Sequence, residues 1–366
     1  MLSLKVLLKD AEKAKQYVVK HKLLDKRYAI KKSQNFIFFP IIKRFRSSWS
    51  FVEIDLPERK VSPMALKKGL AASLSKDELS KVRASLDAIG DIIIVEIPKE
   101  LAPKAKLIAD HLLKSHPNIK TVLQKGKHEG GLRVQRLKFL AGIDKRETTH
   151  RESGISAKLD VEKVYFSPRL SEERLRIAKQ VKSGEKILVM GSGCGIYPLI
   201  LAKKTAASEI VGVELNADGH KYAIENARLN HLNNLRFYQG DVQKVLPSLK
   251  EAFDRILMPL PASAHEFLPL ALSVAMNNCA DYVTGGAIIH PDNFAKLCNP
   301  ISEIIDKKNT ILHFYTFVSE ESFDKAKEMV RKACKQAGIR CKILKLVKCG
   351  QVGQRRFRVC VDAKLG

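Results

Sequence analysis

Residues 186–204, KILVMGSGCGIYPLILAKK, contain the pattern that decides the fold of the C-terminal half of the chain. The apolar run Ile187–Met190 leads into a turn with glycines at Gly191, Gly193 and Gly195, and a second apolar run follows. This order predicts the strand, tight turn and helix start of a nucleotide-binding βαβ unit. Glycine is needed in the turn because a Cβ atom would hold a ligand away from the backbone.

Acidic residues stand at the ends of the next two predicted strands. EIVGVELN contains Glu214, nineteen residues after Gly195, and LRFYQGD ends at Asp241. A carboxylate at the first place can accept hydrogen bonds from both hydroxyls of a ribose, and the second lies where an adenine would bind. Together with the glycines, these residues indicate a cofactor that contains a nucleoside.

The spacing of the glycines separates two classes of cofactor. A pyrophosphate dinucleotide prefers GxGxxG, whose third glycine would stand at position 196, where this chain has Ile196. The observed GxGxG is common in enzymes that bind S-adenosylmethionine, which has no phosphate. We therefore predict S-adenosylmethionine as the cofactor, and we interpret Cys194 as a small residue of the turn and not as a nucleophile.

The chain is strongly basic, with 65 Lys and Arg against 39 Asp and Glu and a net charge of +26. The basic residues are spread along the whole chain, which favours an extended polyanion as partner. An adaptation for solubility also fits the composition, but we favour nucleic acid.

Composition also bears on compartment and on metal binding. No apolar run approaches the roughly 20 residues that span a bilayer, so we expect no membrane partner. The seven cysteines form no CxxC pair, which argues against a disulfide framework or a zinc site. Reduced thiols and an N-terminus without a signal pattern predict a cytoplasmic protein, which we expect to be a monomer.

Changes in periodicity divide the 366 residues into segments. The middle segment begins with a predicted helix, Lys76–Gly90, which Ser75 would cap. The predicted segments are an N-terminal module (1–55), a linker (56–75), an α+β middle domain (76–160) and a C-terminal domain (161–366) with an insertion at 276–308.

A basic cluster, Lys43, Arg44 and Arg46, ends the N-terminal module, with Phe45 and Trp49 between or beside the charges. Cations interleaved with aromatic rings can bind a nucleic-acid backbone and stack on bases. We predict that the three cations contact RNA. For the two aromatic residues, a place in a hydrophobic core is an equal alternative.

Three further motifs, HRESG (150–154), YFSPRLSEER (165–174) and DRILMPLP (254–261), carry a resemblance to a known family. The chain resembles the archaeal and eukaryotic tRNA (guanine-N1)-methyltransferases, which modify the guanosine immediately 3′ of the anticodon. The resemblance spans nearly the whole chain, and YFSPRLSEER is its most specific part. It implies tRNA as partner, contacted at the anticodon arm and the outer corner.

The same resemblance implies an α/β fold. A Rossmann-like class I methyltransferase sheet at the C-terminal side would be preceded by an α+β middle domain and a small N-terminal α/β module. It also implies catalytic roles for three residues. Glu173 matches the general base, Tyr165 an aromatic residue that helps to seat the target base, and Arg133 in GGLRV an arginine that stabilises charge on guanine O6.

Without the family pattern, Glu173 would be a first-turn glutamate favoured by the helix dipole, Arg133 a surface cation and Tyr165 a core aromatic. The remaining assignments concern the cofactor and the RNA. The predicted cofactor residues are Gly191, Gly193, Gly195, Glu214, Asp241 and Pro259, and the predicted RNA contacts are Lys43, Arg44, Arg46 and Arg169.

The chemistry of guanine agrees with this set of residues. N1 holds a proton at neutral pH, and its lone pair becomes nucleophilic only when that proton leaves. A carboxylate within hydrogen-bond reach can accept the proton, while a guanidinium stabilises the charge that appears on O6. The methyl group then passes in line from the sulfonium, so positioning supplies much of the remaining rate.

Two motifs depart from the family pattern. Near the second glycine of the turn, where the family usually has an acid, the chain has Met190 and Ser192. The fourth motif usually reads Asn-Leu-Pro, whereas here it is Pro259-Leu260-Pro261. Proline offers no side-chain hydrogen bond, although it can fix the loop beside the target pocket.

Other functions remain as alternatives at this point. The related aminocarboxypropyl transferase of wybutosine synthesis uses the same cofactor but transfers a different carbon, and methylation of a tricyclic guanosine derivative is a further reaction of this kind. A non-catalytic RNA-binding protein on a methyltransferase fold is the alternative from another class.

Overall fold

The computed structural model describes residues 1–25, 28–54, 56, 63–82, 86–126, 128–130, 132, 134–249, 251–260, 262–276 and 309–366. The chain forms two compact units. The first comprises Met1–His128 with Gln135–Ser156, and the second comprises Glu129–Val134 with Ala157–Gly366. Within the described ranges, every helix is too short or too polar to cross a bilayer.

The first 54 residues form a four-stranded sheet with one helix. The sheet order is β2-β3-β1-β4, and the turn Ser33-Gln34-Asn35 separates two antiparallel strands. Leu4 and Val6 alternate along one strand and pack on Ala14 and Val18 of the helix. The elements are β1 (Leu2–Leu7), α1 (Ala11–Lys20), β2 (Lys31–Lys32), β3 (Phe36–Pro40) and β4 (Ser50–Glu53).

The middle part of the chain has a second four-stranded sheet, in the order β10-β7-β6-β5, and two short two-stranded ladders, β8-β9 and β11-β12. Its helices are α2 (Pro63–Leu70), α3 (Lys76–Lys81) and α4 (Ala105–Ser115). Its strands are β5 (Leu86–Ile89), β6 (Ile92–Val95), β7 (Thr121–Gln124), β8 (His128–Glu129), β9 (Val134–Gln135), β10 (Lys138–Gly142), β11 (Glu147–Glu152) and β12 (Ile155–Asp160).

Much of the predicted linker, residues 56–75, belongs to the core of the middle part. Leu66, Leu70 and Leu74 are buried and pack with the residues of β6 and α4. Their spacing of four residues places them on one side of a helical segment. The prediction was therefore wrong for this stretch, because two prolines were given more weight than the spacing of the leucines.

The helix predicted over Lys76–Gly90 is shorter than expected. Ser75 caps it through a capping box with Glu78, but α3 ends at Lys81 and Val82 is already extended. Leu86–Ile89 forms a strand that pairs antiparallel with β6. Pairing with a buried neighbouring strand thus outweighed the helical pattern of the sequence.

The C-terminal part contains a seven-stranded sheet in the order β15-β14-β13-β16-β17-β19-β18. Its helices are α5 (Ser171–Ala178), α6 (Ile196–Lys204), α7 (Ala217–Leu229), α8 (Val242–Leu249), α9 (Ala264–Ala275) and α10 (Phe323–Gln336). Its strands are β13 (Lys186–Met190), β14 (Glu209–Glu214), β15 (Leu235–Gln239), β16 (Arg255–Met258), β17 (Thr310–Ser319), β18 (Cys341–Gly353) and β19 (Arg356–Leu365).

The first five strands of this sheet are parallel, and β19 runs antiparallel to both β17 and β18. The chain runs outward from β13 to β15 and then returns to the other side of β13. Such a reversal creates a crevice at the carboxyl ends of the strands. The predicted Rossmann-like sheet is confirmed, and of the predicted insertion, 276–308, all but Met276 lies outside the described residues.

Candidate active site at the carboxyl edge of the sheet

The glycine turn lies between β13 and α6, and its glycines serve different purposes. Gly191 has a φ of +75°, and a Cβ there would lie 2.3 Å from Cδ2 of Leu260. Gly193 has a φ of +58°, but its nearest neighbour in that direction is the carbonyl oxygen of Tyr165, at 3.8 Å. Gly191 is therefore required by packing, whereas the open side of Gly193 leaves room for a ligand beside the backbone.

Glu214 ends β14 and its carboxylate lies against the same turn. Oε2 accepts a hydrogen bond from the Gly193 amide at 2.6 Å, and Oε1 accepts one from the Asn216 amide at 2.8 Å. Burial raises the pKa of Glu214, and the hydrogen bonds from the backbone partly oppose this effect. The structure thus brings the predicted ribose-binding carboxylate to the middle glycine.

Asp241 and Pro259 follow the ends of β15 and β16, at the same edge of the sheet. Asp241 Oδ1 accepts a hydrogen bond from the Gln243 amide at 2.9 Å, at the start of α8. The Gly240 amide donates to the carbonyl oxygen of Glu214 at 2.9 Å, which joins the two acidic strand ends. Pro259 is half-buried, and Leu260 beside it packs on Gly191.

Two residues of this edge were not predicted to contact a cofactor. The Ser192 hydroxyl is 4% exposed and has no hydrogen-bond partner among the described residues. Leu215 is 57% exposed directly after Glu214. An apolar side chain next to the ribose-binding acid was a usable signal, since adenine needs an apolar surface. Met190, in contrast, is fully buried in the core, so its side chain cannot replace the missing acid.

The donors and acceptors of this edge fit S-adenosylmethionine. Gly193 offers an open backbone, Glu214 an acceptor pair for a ribose, and Asp241 a carboxylate for the adenine amino group. Ser192 adds a hydroxyl with unused hydrogen-bonding capacity. Cys194 in the same turn is buried, and burial raises its pKa to about 12, so its thiol stays protonated and is not a nucleophile.

Glu173 lies in the first turn of α5 and is 5% exposed. The guanidinium of Arg176, three residues later, donates to both carboxylate oxygens, from Nε to Oε2 at 2.7 Å and from Nη2 to Oε1 at 2.8 Å. Tyr315 on β17 donates its hydroxyl proton to Oε1 at 2.7 Å. The predicted base is therefore held in one orientation by partners from a helix and a strand.

A path of phenols joins Glu173 to the glycine turn. The hydroxyl of Tyr197 donates to that of Tyr315 at 3.3 Å, and Tyr197 lies in the first turn of α6, two residues after Gly195. Burial raises the pKa of both phenols, so they remain neutral donors. The predicted base and the predicted cofactor turn are thus parts of one packed arrangement.

Arg176 connects Glu173 to a second buried carboxylate. Its Nη2 donates to Asp362 Oδ1 at 3.1 Å, and Nη1 donates to Oδ2 of the same residue. Asp362 also accepts from Nδ1 of His313 at 2.7 Å, and Arg255 Nη1 lies 2.6 Å from His313 Nε2. Arg255 in turn forms an ion pair with Glu185. Sequence analysis missed all of these partners.

The group His313, Cys360 and Asp362 has donor atoms within 4.8 Å of one another, as a metal site would. Both ring nitrogens of His313 already have partners, however, and arginines stand on either side of the group. A cation would be repelled by these guanidiniums. We therefore interpret the group as a hydrogen-bonded network and not as a metal centre.

The carbonyl oxygen of Tyr165 faces Gly193 of the glycine turn, and the residue is half-buried. Arg358 on β19 donates from Nη2 to the Tyr165 hydroxyl at 2.8 Å. Arg358 is 6% exposed, and its Nε has no partner among the described residues. Like Asp362, this arginine lies almost two hundred positions from its partner, and no local pattern indicated it.

The other predicted residues are placed as follows. Arg133 lies outside the described residues, as does Pro261. Arg169 is exposed just before α5, and Lys43, Arg44 and Arg46 are exposed in the first unit. Phe45 and Trp49, the two aromatic residues of the basic cluster, are half-buried and pack on the core of the N-terminal module. Tyr17 stacks on Phe45 and meets the edge of Trp49, which favours the core alternative.

Comparison with known proteins agrees with this architecture. The model of the TRM5/TYW2 methyltransferase domain matches residues 148–297, that of the TYW2 N-terminal domain matches 66–145, and that of the tRNA methyltransferase 5 N-terminal domain matches 3–48. The crystal structure of Trm5b from Pyrococcus abyssi superposes with a TM-score of 0.67 at 31% identity and covers 100% of this chain and 99% of that one.

Two curated relatives represent the activities within this group. The chain is 36% identical over 300 residues to the tRNA (guanine(37)-N(1))-methyltransferase Trm5b of Pyrococcus abyssi (strain GE5 / Orsay), with 82% of this chain and 86% of that protein covered. It is 35% identical over 205 residues to the tRNA(Phe) (4-demethylwyosine(37)-C(7)) aminocarboxypropyltransferase of Pyrococcus horikoshii, with 56% and 69% covered. The chain belongs to the TRM5/TYW2 family of methyltransferases.

Proposed function

We propose that the protein is an S-adenosylmethionine-dependent tRNA (guanine(37)-N1)-methyltransferase. The observation that carries this proposal is the connection of Glu173, through Tyr315 and Tyr197, to the glycine turn. A proton acceptor on one side of a pocket and a site for the methyl donor on the other are what methylation of guanine N1 requires. The greater coverage of the methyltransferase relative supports the same activity.

In the proposed reaction, the target guanosine leaves its stack, which costs a few kcal/mol and least in a single-stranded loop. Glu173 accepts the proton from N1, and Tyr165, held by Arg358, seats the base. Arg133 stabilises the negative charge that develops on O6. S-adenosylmethionine supplies the methyl group as a sulfonium, so that the N1–C bond forms as the S–C bond breaks.

The general base is already oriented before substrate binds. Arg176 and Tyr315 hold both oxygens of Glu173, so little freedom is lost when the guanine arrives. Because its carboxylate is almost completely buried, bulk water has little access to it. A proton taken from guanine N1 is then not exchanged with solvent during transfer.

Recognition of tRNA is proposed to involve exposed cations of both units. Lys43, Arg44 and Arg46 would contact the outer corner of the tRNA, and Arg169 would contact the anticodon arm. The excess of 26 positive charges supports binding to a polyanion. We also propose that the protein acts as a cytoplasmic monomer, in keeping with free thiols at every cysteine that the structure describes.

Mass spectrometry of unmodified tRNA incubated with the protein and labelled S-adenosylmethionine tests the proposal. We expect the label as a methyl group on N1 of the guanosine 3′ of the anticodon, and no label when adenosine replaces it. An aminocarboxypropyl adduct would favour the related transferase, and label only on a tricyclic guanosine would favour that later methylation. Label on another atom of guanine would contradict the proposal.

The non-catalytic alternative makes a different prediction for cofactor binding. A decayed methyltransferase site should release no heat in a calorimetric titration with S-adenosylmethionine. The set of Gly193, Glu214 and Asp241 at one sheet edge leads us to expect binding. Absence of heat, together with retained binding of tRNA, would favour an RNA-binding protein without activity.

A further inference from the structure

The part of the buried ionic network next to Glu173 comes from three elements, and Arg255 and Glu185 extend it. Glu173 and Arg176 come from α5, His313 from β17, and Asp362 from β19. Glu173, His313 and Asp362 are at most 5% exposed. Burial of such charges costs free energy of desolvation unless each charge is paired, and loss of one partner leaves the other charge uncompensated.

Asp362 is the most extensively bonded carboxylate of this network. It accepts two hydrogen bonds from Arg176 and one from His313, and the thiol of Cys360 donates to Oδ1 at 3.3 Å. Burial alone would raise the pKa of Asp362, but the hydrogen bonds from His313 and Arg176 outweigh it and hold the pKa below its usual range. Asp362 therefore remains ionised.

The protonation state of His313 follows from its two neighbours. A guanidinium only donates, so Nε2 must accept from Arg255, and the ring proton is on Nδ1, where it donates to Asp362. His313 is consequently neutral. Burial lowers its pKa and outweighs the hydrogen bond to Asp362, which would raise it. Both lines of argument give a neutral ring, and the hydrogen bonds assign its proton to Nδ1.

With His313 neutral, the network has three carboxylates and only two guanidiniums. The carboxylates are Glu173, Asp362 and Glu185, and the guanidiniums are Arg176 and Arg255. Arg255 donates to Glu185, whereas Arg176 donates to both Glu173 and Asp362.

Asp362 and Glu173 share a single guanidinium. Arg176 Nη2 donates to both residues, Nε donates only to Glu173, and Nη1 only to Asp362. Burial would lower the pKa of Arg176, but its hydrogen bonds with Glu173 and Asp362 raise it. Arg176 therefore stays protonated, and its positive charge is shared between the carboxylates of Glu173 and Asp362.

Three neutral polar groups also lie near Glu173, and the guanidiniums of Arg174 and Arg358 act on groups next to it, Arg174 on Tyr197 and Arg358 on Cys349. Tyr315 approaches from β17, Cys349 from β18 and Cys360 from β19. Burial raises the pKa of each of these groups, so all three are neutral near neutral pH. Arg176 is therefore the charged partner in direct contact with Glu173, and the residue that competes for Arg176 is Asp362.

We propose that Asp362 is a positioning residue for Glu173 that acts through Arg176. By holding half of the guanidinium, Asp362 fixes the orientation of Arg176 and prevents it from neutralising Glu173 completely, so that Glu173 remains able to accept a proton. This inference rests on the proposed role of Glu173 as the general base.

The proposal predicts opposite effects on the pH dependence of methyl transfer in two variants. Asp362→Asn leaves Glu173 to interact with the full charge of Arg176. The acidic limb of the pH profile of the single-turnover rate should therefore move to lower pH. The rate on the plateau of this profile should fall about tenfold or more. In Arg176→Gln, Glu173 loses its cation, and the limb should move to higher pH by about one pH unit or more.

Glu185→Gln is the matched control, because it also removes a carboxylate from a buried ion pair of the network, but that carboxylate accepts from Arg255 and not from Arg176. A purely structural role predicts that Asp362→Asn and Glu185→Gln behave alike, with lower melting temperature and an unmoved limb. That result, or a limb moved in the same direction by Asp362→Asn and Arg176→Gln, would overturn the proposal.

Two further variants make the outcome decisive. If Asp362→Asn does not fold, Asp362→Glu keeps the charge but displaces it, and should keep the limb in place while lowering the plateau rate; a moved limb would overturn the proposal. Glu173→Gln tests the underlying assignment. If Glu173→Gln is as active as the wild type, the proposed base and this inference both fail. If Glu173→Gln is inactive while the acidic limbs of the Asp362→Asn and Arg176→Gln profiles stay in place, only the inference fails.

Discussion

Glu173 shows how a buried side chain can be both structural and chemical. Its first-turn position satisfies the helix dipole, and its contacts with Arg176 and Tyr315 would be sufficient to explain its burial. The connection to the glycine turn is what distinguishes it from an ordinary buried ion pair. A change that preserves shape but removes the charge separates the two roles.

Replacement of Glu173 by Gln should lower the single-turnover rate of methyl transfer about 10²–10⁴-fold, because the variant cannot accept the N1 proton. Cofactor affinity, measured by calorimetry, should stay nearly unchanged. Glu172→Gln is the matched control, since Glu172 is exposed in the same turn and should retain full activity. Equal rates in the two variants would place the base elsewhere.

Gly193→Ala should weaken binding of S-adenosylmethionine about tenfold or more, equivalent to about 1.4 kcal/mol, because the new Cβ enters the space beside the backbone. The positive φ also costs about 1–2 kcal/mol of stability. Gly184→Ala controls for this strain, since Gly184 has a φ of +79° and open space around it. Both variants should lose similar stability, and if both also lost affinity, the turn would not be the cofactor site.

At the level of elements, α2 belongs to the core of the middle sheet. Leu70→Ala should lower the free energy of unfolding by about 2–5 kcal/mol, because the side chain is 1% exposed and leaves a cavity. Urea unfolding measures this, with exposed Lys68→Ala as control. A loss below about 1 kcal/mol would be expected of a true linker and would contradict the packing described above.

His313 should make the stability of the C-terminal sheet dependent on pH. Burial lowers its pKa, so the folded protein binds a proton less readily than the unfolded chain, whose histidine titrates near 6.5. The stability contributed by neutral His313 is therefore complete above about pH 6.5 and is lost as the pH falls below it, at most by about 1.4 kcal/mol per pH unit.

His313→Gln tests this dependence, since Gln offers one donor and one acceptor but does not titrate. Between about pH 7.5 and about pH 5, the free energy of unfolding of the variant should fall less steeply than that of the wild type. Parallel curves would show that other groups cause the dependence.

Local patterns predicted three strands of the C-terminal sheet, the apolar run Ile187–Met190 and the segments EIVGVELN and LRFYQGD. Apolar runs such as Ile187–Met190 are buried on both faces of parallel strands, so their composition alone indicates them. The limits of local patterns appear at Leu86–Ile89, which reads as the end of a helix until its pairing with β6 is known. Element type there depends on a neighbour and not on the segment itself.

At the scale of the whole molecule, the sequence predicts those candidate site residues that lie within one motif. Glu173, Tyr165, Glu214 and the glycines each belong to a motif with internal spacing. Asp362 and Arg358 belong to no motif, because their partners are distant in sequence and are reached only through the sheet topology. Contacts between residues so distant in sequence can be recognised only once the fold is known.

The positive charge of the whole chain should make tRNA binding depend on salt. Replacement of Lys43, Arg44 and Arg46 by Ala should weaken binding and reduce the slope of log K against log salt by about 1 for each phosphate that is no longer neutralised. Filter binding over a range of salt concentrations measures this slope.

The matched control removes the same charge from the C-terminal sheet, at the edge away from its crevice. Lys182, Lys203 and Lys204 are exposed near the amino ends of the strands, away from the crevice. Their replacement by Ala should leave the slope almost unchanged. If both triple variants reduced the slope equally, binding would reflect net charge and not a defined contact surface.

The position of β19 has a consequence for the order in which the protein becomes active during synthesis. β19 is inserted between β17 and β18, and its alternate residues Arg358, Cys360 and Asp362 face one side of the sheet. Ribosomes make this strand after every other strand of the sheet. Until residues 356–365 have emerged and paired, Tyr165 lacks its arginine and Arg176 its second carboxylate. A nascent chain can thus form the cofactor turn early, yet methyl transfer should begin only when this last strand closes the sheet.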